Sequence, residues 1–167
     1  NSMETWIDES GTRKEAVLNS ANTLINSLLE NNDNLKIGVV SFATSNDIYQ
    51  EGTIADANVV CPLDNNAQNI TNAVSNMQST GPRTNLQAGV ALAKQQFSQE
   101  NNNKYMIILS DGTPNVAFDF DSYYSDKVIE NTKNELLDTK EKNITTIAML
   151  TGIDDADYSP MGQDKTF

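Results

Sequence analysis

Hard oxygen donors stand in three widely separated polar segments of this sequence. Ser2 lies in the polar opening, and Thr84 lies in Ser79-Thr80-Gly81-Pro82-Arg83-Thr84-Asn85. Asp111 follows the apolar run Tyr105-Met106-Ile107-Ile108-Leu109 and Ser110, just before Gly112-Thr113-Pro114. Two hydroxyls and a carboxylate make an all-oxygen donor set, which suits Mg²⁺, Mn²⁺ or Ca²⁺ and is poor for softer metals. Taken singly, each side chain reads first as a cap or turn group. The chemistry exists only if the fold gathers the three.

Composition removes other chemistries. The chain has no His, so imidazole catalysis and His-ligated metals are excluded within it. Its one cysteine, Cys61, has no partner for an internal disulfide or a zinc site and reads as a small core residue. A net charge of −12 argues against nucleic-acid partners and anionic membrane surfaces. No apolar run approaches membrane-spanning length, so direct membrane insertion is not expected. Asp111 has no second carboxylate close by, and the chain offers no phosphate-cradling glycine loop and no evident nucleophile. The expectation is a protein that is not an enzyme.

The elements that must position these donors are legible in the apolar periodicity. The five-residue run before Ser110 shows no alternation, which predicts a central parallel strand covered on both faces. Gly112 and Pro114 end it and deliver Asp111 to its carboxyl end, where open α/β sheets hold ligands. Residues 1–11 read as a loop. Thr12-Arg13-Lys14-Glu15 has capping-box spacing and opens a helix through Val17, Ala21, Leu24, Ile25 and Leu28. Leu35 to Phe42 is a strand rich in β-branched residues, and Ile48-Tyr49 and Asn58 to Cys61 read as short ones with an antiparallel place at an edge as one option. Asp64 is a candidate cap for a helix carrying Ile70, Ala73, Val74 and Met77. Leu86, Val90, Ala93 and Phe97 mark the next helix, and Val128, Ile129, Leu136 and Leu137 another. Ile144 to Leu150 reads as a further buried strand. Helices alternating with strands predict an α/β fold: a Rossmann-like, mostly parallel central sheet with helices on both faces. The chain reads as one domain over 1–167, with 151–167 a tail or the start of an insertion.

Two blocks carry a resemblance: Thr-Gly-Pro-Arg-Thr-Asn-Leu-Gln-Ala-Gly-Val around Thr84, and Met-Ile-Ile-Leu-Ser-Asp-Gly-Thr-Pro-Asn at 106–115. Together they resemble the von Willebrand factor type A (vWA) domain. Lys36 to Phe42 is similar to that family's second strand, and Glu15 to Leu28 to its first helix. The resemblance implies a metal-ion-dependent adhesion site (MIDAS) with the pattern Asp-x-Ser-x-Ser, then Thr, then Asp. On that match Ser2 is the second serine, Thr84 the threonine and Asp111 the late aspartate. The motif's Asp and first Ser, with the first strand, would precede Asn1, and C-terminal elements would follow Leu150, so the domain is expected to be incomplete at both ends.

The implied function is a cell-surface adhesion or protein-binding module. A divalent cation, Mg²⁺ first with Mn²⁺ or Ca²⁺ as alternatives, would receive an acidic group of a protein ligand such as a host extracellular-matrix or other surface protein. Arg83, Asp119, Asp121, Tyr123 and Tyr124 are the expected rim of that site. Abundant Asn, absent His and the solitary Cys agree with an extracellular bacterial surface protein of the Gram-positive pilus-adhesin kind, wall-anchored through other regions. The alternatives are an intracellular scaffold subunit of chelatase or chaperone type and, ranked third, a metal-dependent hydrolase.

Overall fold

The structure is a computed structural model and describes residues 6–8, 11–44, 52–77, 81–98, 100, 102–110, 113–118 and 125–150. The opening segment, expected as a loop, carries a short antiparallel hairpin, β1 (Trp6–Asp8) with β2 (Gly11–Thr12). With two residue pairs it lies below the length at which period-2 patterning gives a signal. Helix α1 (Arg13–Leu29) starts with the predicted capping box. Thr12 Oγ1 accepts from the Glu15 N–H at 3.2 Å, and Glu15 Oε2 accepts from the Thr12 N–H at 2.7 Å.

Strand β3 (Ile37–Phe42) pairs antiparallel with β4 (Ala57–Asp64). Successive side chains of a strand face opposite ways, and this ladder uses both faces. Ile37 and Val39, with Cys61, meet Ile25 of α1 and Ile70 and Val74 of α2 (Ala67–Ser75). Phe42 turns the other way and packs on α3 (Leu86–Gln96). The approach is close: a methyl group on Gly89 of α3 would sit 2.7 Å from a Phe42 ring carbon. The cap of α2 is Asn66 rather than Asp64. Asp64 instead braces the entry, accepting from the Asn66 N–H and Asn69 Nδ2, each at 3.0 Å.

Strand β5 (Lys104–Ser110) pairs in parallel with β6 (Ile144–Leu150), from Lys104 opposite Ile144 to Ser110 opposite Leu150. Helix α4 (Asp126–Glu141) connects them, as a parallel pair requires a crossover. Leu86 and Val90 of α3 meet Met106, Ile108 and Ile144 in a second buried cluster. Lys94 ties α3 to α4 through Glu135 and Asp138, and Lys142 meets Asp138 at 2.7 Å.

The fold is mixed α/β. Among the described residues the pairing forms three two-stranded ladders, one parallel and two antiparallel, and α3 serves both large ones. The expected double covering of the apolar run meets a difference here. Met106 and Ile108 are buried under the helices, while Tyr105 (58% exposed) and Ile107 (39%) face outward beside Ile147 and Met149. The described helices cover one side of the β5–β6 ladder.

Candidate functional site

The loop holding Thr84 is docked onto the carboxyl end of β3. The Gly81 N–H donates to the Thr44 carbonyl at 2.9 Å, and the Asn85 N–H donates to the Ala43 carbonyl at 3.2 Å. Between them, the Arg83 N–H donates to Thr44 Oγ1 at 3.3 Å. Gly81 is needed for this closeness, because a Cβ there would fall 2.1 Å from the Thr44 carbonyl oxygen.

The same loop is joined to the segment that follows β5. The Thr84 N–H donates to Asn115 Oδ1 at 2.9 Å. The Thr84 carbonyl accepts from the Asn115 and Val116 N–H groups at 3.1 and 3.2 Å. The segments that follow β3 and β5 therefore meet at Thr84. Both backbone groups of Thr84 are engaged within the protein, so its remaining polar atom is the hydroxyl.

Two further contacts fix the chain after Asn115. Val116 and Ala117 are fully buried. The Phe118 N–H donates to Gln87 Oε1 of α3 at 2.8 Å, and its carbonyl accepts from Asn131 Nδ2 of α4 at 2.9 Å. Gly52, Thr53, Ile54 and Phe118 line a shallow hollow of about 280 Å³. A second hollow of about 310 Å³ lies along α1 beside Ser75, on elements that carry none of the candidate residues.

Of the residues expected at the site, Thr84 and Arg83 are described and half-buried, adjacent in this loop. Ser2, Asp111, Asp119, Asp121, Tyr123 and Tyr124 lie outside the described residues. Ser110, which precedes Asp111, is buried at the end of β5, and Asn115, four residues past Asp111, holds Thr84. Among the described residues no group of three or more Asp, Glu or Cys side chains could hold a metal. The one donor of the expected set that is described, the Thr84 hydroxyl, is a hard oxygen of the type that suits a divalent cation.

Sequence reasoning missed the residues that position this loop: Thr44, Asp56, Asn85, Gln87 and Asn115. Asn85 had a usable signal, since an Asn directly before an apolar-periodic run is an N-cap signature, and its Oδ1 does accept from the Ala88 N–H at 3.0 Å. Asp56 had none, because its partner Asn85 is 29 positions away.

No curated protein matches the chain. A crystal structure described as an uncharacterized membrane spanning protein from Vibrio fischeri is similar at 19% identity with a TM-score of 0.44. The match covers 88% of this chain and 63% of that one. Residues 1–114 match the sequence profile of the von Willebrand factor type A domain, a family of protein-interaction and metal-dependent modules that often bind a divalent metal. The chain belongs to the von Willebrand factor type A domain family.

Proposed function

We propose that this vWA domain is a cell-surface adhesion module that binds an acidic group of a protein partner through a MIDAS cation held by Ser2, Thr84 and Asp111. The observation that carries the reading is the hydrogen-bonded junction of Thr84 with Asn115, four residues past Asp111. Mg²⁺ is the expected cation, with Mn²⁺ and Ca²⁺ able to use the same oxygens. When bound, such a cation supplies an open coordination position and an uncompensated positive field for a partner carboxylate.

The chain's own residues do the rest. Asn115 and Val116 hold the Thr84 backbone, so that its hydroxyl is presented without loop rearrangement. Gln87 and Asn131 clamp Phe118 at the root of the acidic and aromatic segment 119–124. In this reading Arg83, Asp119, Asp121, Tyr123 and Tyr124 form the rim that selects the partner. The hollow beside Phe118 and the exposed Ile54 would receive an apolar side chain next to the partner's carboxylate. The partner class is an extracellular-matrix or other surface protein, and the site of action is the bacterial cell surface. No turnover is assigned to the domain.

The test is binding to immobilised collagen and fibronectin in Mg²⁺ and in chelator, with hydrolysis of a phosphate monoester run alongside. The proposal expects capture in Mg²⁺, loss in chelator, competition by acidic peptides and no turnover above background. Capture indifferent to chelator, or metal-dependent hydrolysis, would overturn it. Capture of an ATPase subunit instead of matrix protein would favour the scaffold reading.

A further inference from the structure

We infer that Asp56 is a positioning residue for Thr84: its buried carboxylate locks the loop that presents the hydroxyl. The inference rests on the metal-site reading and deepens it. Asp56 ends the 3-10 turn Ile54–Asp56 and is only 2% exposed. A carboxylate at that depth is unfavourable unless donors meet it. Here the Gly52 N–H and Asn85 Nδ2 both donate to its Oδ2 at 2.8 Å.

The hydrogen bonds close into a ring. The Ala43 N–H donates to the Asp56 carbonyl at 2.9 Å, and the Asn85 N–H donates to the Ala43 carbonyl at 3.2 Å. Asn85 Nδ2 completes the circuit at Asp56 Oδ2. Buried networks of this kind fix one arrangement when their members are satisfied. Asn85 is itself fully buried, and its other amide atom caps α3. Thr84 is the next residue along the chain. Its backbone is thus held from one side by Asn115 and, through Asn85, from the other by Asp56. Neither the α3 cap nor the β3–β4 ladder requires a carboxylate at position 56, since the cap is supplied by Asn85 Oδ1 and the ladder by the backbone.

The test uses the chain with two substitutions. Asp56→Asn removes the charge and turns one acceptor into a donor that faces the Asn85 amide. Asn85→Ser keeps a capping oxygen for α3 but withdraws the Nδ2 link. Each is measured for Mn²⁺ affinity at 25 °C by electron paramagnetic resonance, for amide exchange over residues 83–88, and for melting in chelator. Both variants should bind Mn²⁺ at least about tenfold more weakly, the scale seen when a partner behind a metal ligand is lost. Exchange at 83–88 should quicken in both. A variant that melts lower yet binds Mn²⁺ like the parent would show a role in stability alone and overturn the inference. Should Asp56→Asn fail to fold, Asn85→Ser carries both readouts. Should the parent bind no Mn²⁺, the metal-site reading falls separately. Amide exchange then decides: faster exchange sustains the positioning role, and unchanged exchange ends it.

Discussion

Replacing Gly89 with alanine sets two opposing effects against each other, and the structure says which wins. In an exposed helix interior the change should stabilise by about 1 kcal/mol, because Gly has more backbone freedom to lose than Ala. At this position the added Cβ would lie 2.7, 2.8 and 3.0 Å from Cδ1, Cγ and Cβ of Phe42. Carbon atoms prefer about 3.5–4.0 Å, so α3 and β3 must separate by roughly 0.8 Å. The clashing atoms include the stem of the ring, so a rotamer change does not relieve all of them. Overpacking of this kind costs about 1–3 kcal/mol. The net expectation is destabilisation of about 1 kcal/mol, read as a drop of about 2–4 °C in melting temperature for a chain of this size. The sign should reverse in a Phe42→Ala background, where the obstruction is gone and the propensity gain remains. Urea unfolding of the four proteins in the double-mutant cycle measures both steps. A gain of about 1 kcal/mol from Gly89→Ala in the parent background would refute the close helix–strand approach that sets α3, and with it Thr84.

Ile108→Asp should unfold the domain, because it buries an unpaired charge against α3, at about 3–5 kcal/mol by analogy with a broken buried pair; circular dichroism resembling the parent's would contradict the packing. Thr12→Ala should cost about 1 kcal/mol through loss of the α1 cap, measured by chemical unfolding. The Lys142 and Lys94 hydrogen bonds hold the Asp138 carboxyl down at about 2, below its usual range. A depressed folded-state pKa means stability that is present above about pH 4 and lost as pH falls toward 2. Acid unfolding should therefore lose part of its pH dependence in that window in Asp138→Asn, and an unchanged acid limb would count against the α3–α4 ion cluster. Asp111→Ala should abolish metal-dependent partner binding while leaving melting in chelator near the parent's; equal binding with and without chelator would contradict the assignment.

Much of this architecture was legible because it rests on local signals. The capping box at Thr12 and Glu15 is a four-residue pattern, and the structure contains both of its hydrogen bonds. The short β-branched run at Asn58 to Cys61 marks β4 as a strand, although the strand extends to Ala57 and Asp64 on either side and its antiparallel direction is set by pairing with β3. What stayed hidden depends on distant pairing. The run from Tyr105 to Leu109 is apolar on both faces, yet the described helices bury only the Met106 and Ile108 side, and composition alone does not say what meets a face. Asp64 carries a cap-type side chain, but its carboxylate braces a cap made two residues later by Asn66. Around Thr84 the composition reads as a loop, while the frame that holds it joins residues 29 to 39 positions apart. Asp56 carries no local signal, because its side-chain partner Asn85 is 29 positions away.

The central claim is that Ser2, Thr84 and Asp111 share one divalent cation. Titration of the chain with Mn²⁺, followed by electron paramagnetic resonance alongside Thr84→Ala and Asp111→Ala, addresses it directly. One site is expected in the parent, with competition by Mg²⁺ and stability raised by about 2.7 kcal/mol at a hundredfold excess of free ion over Kd, and all three should be lost in either variant. Mn²⁺ binding of equal strength in the parent and both variants, or none in the parent, would contradict it.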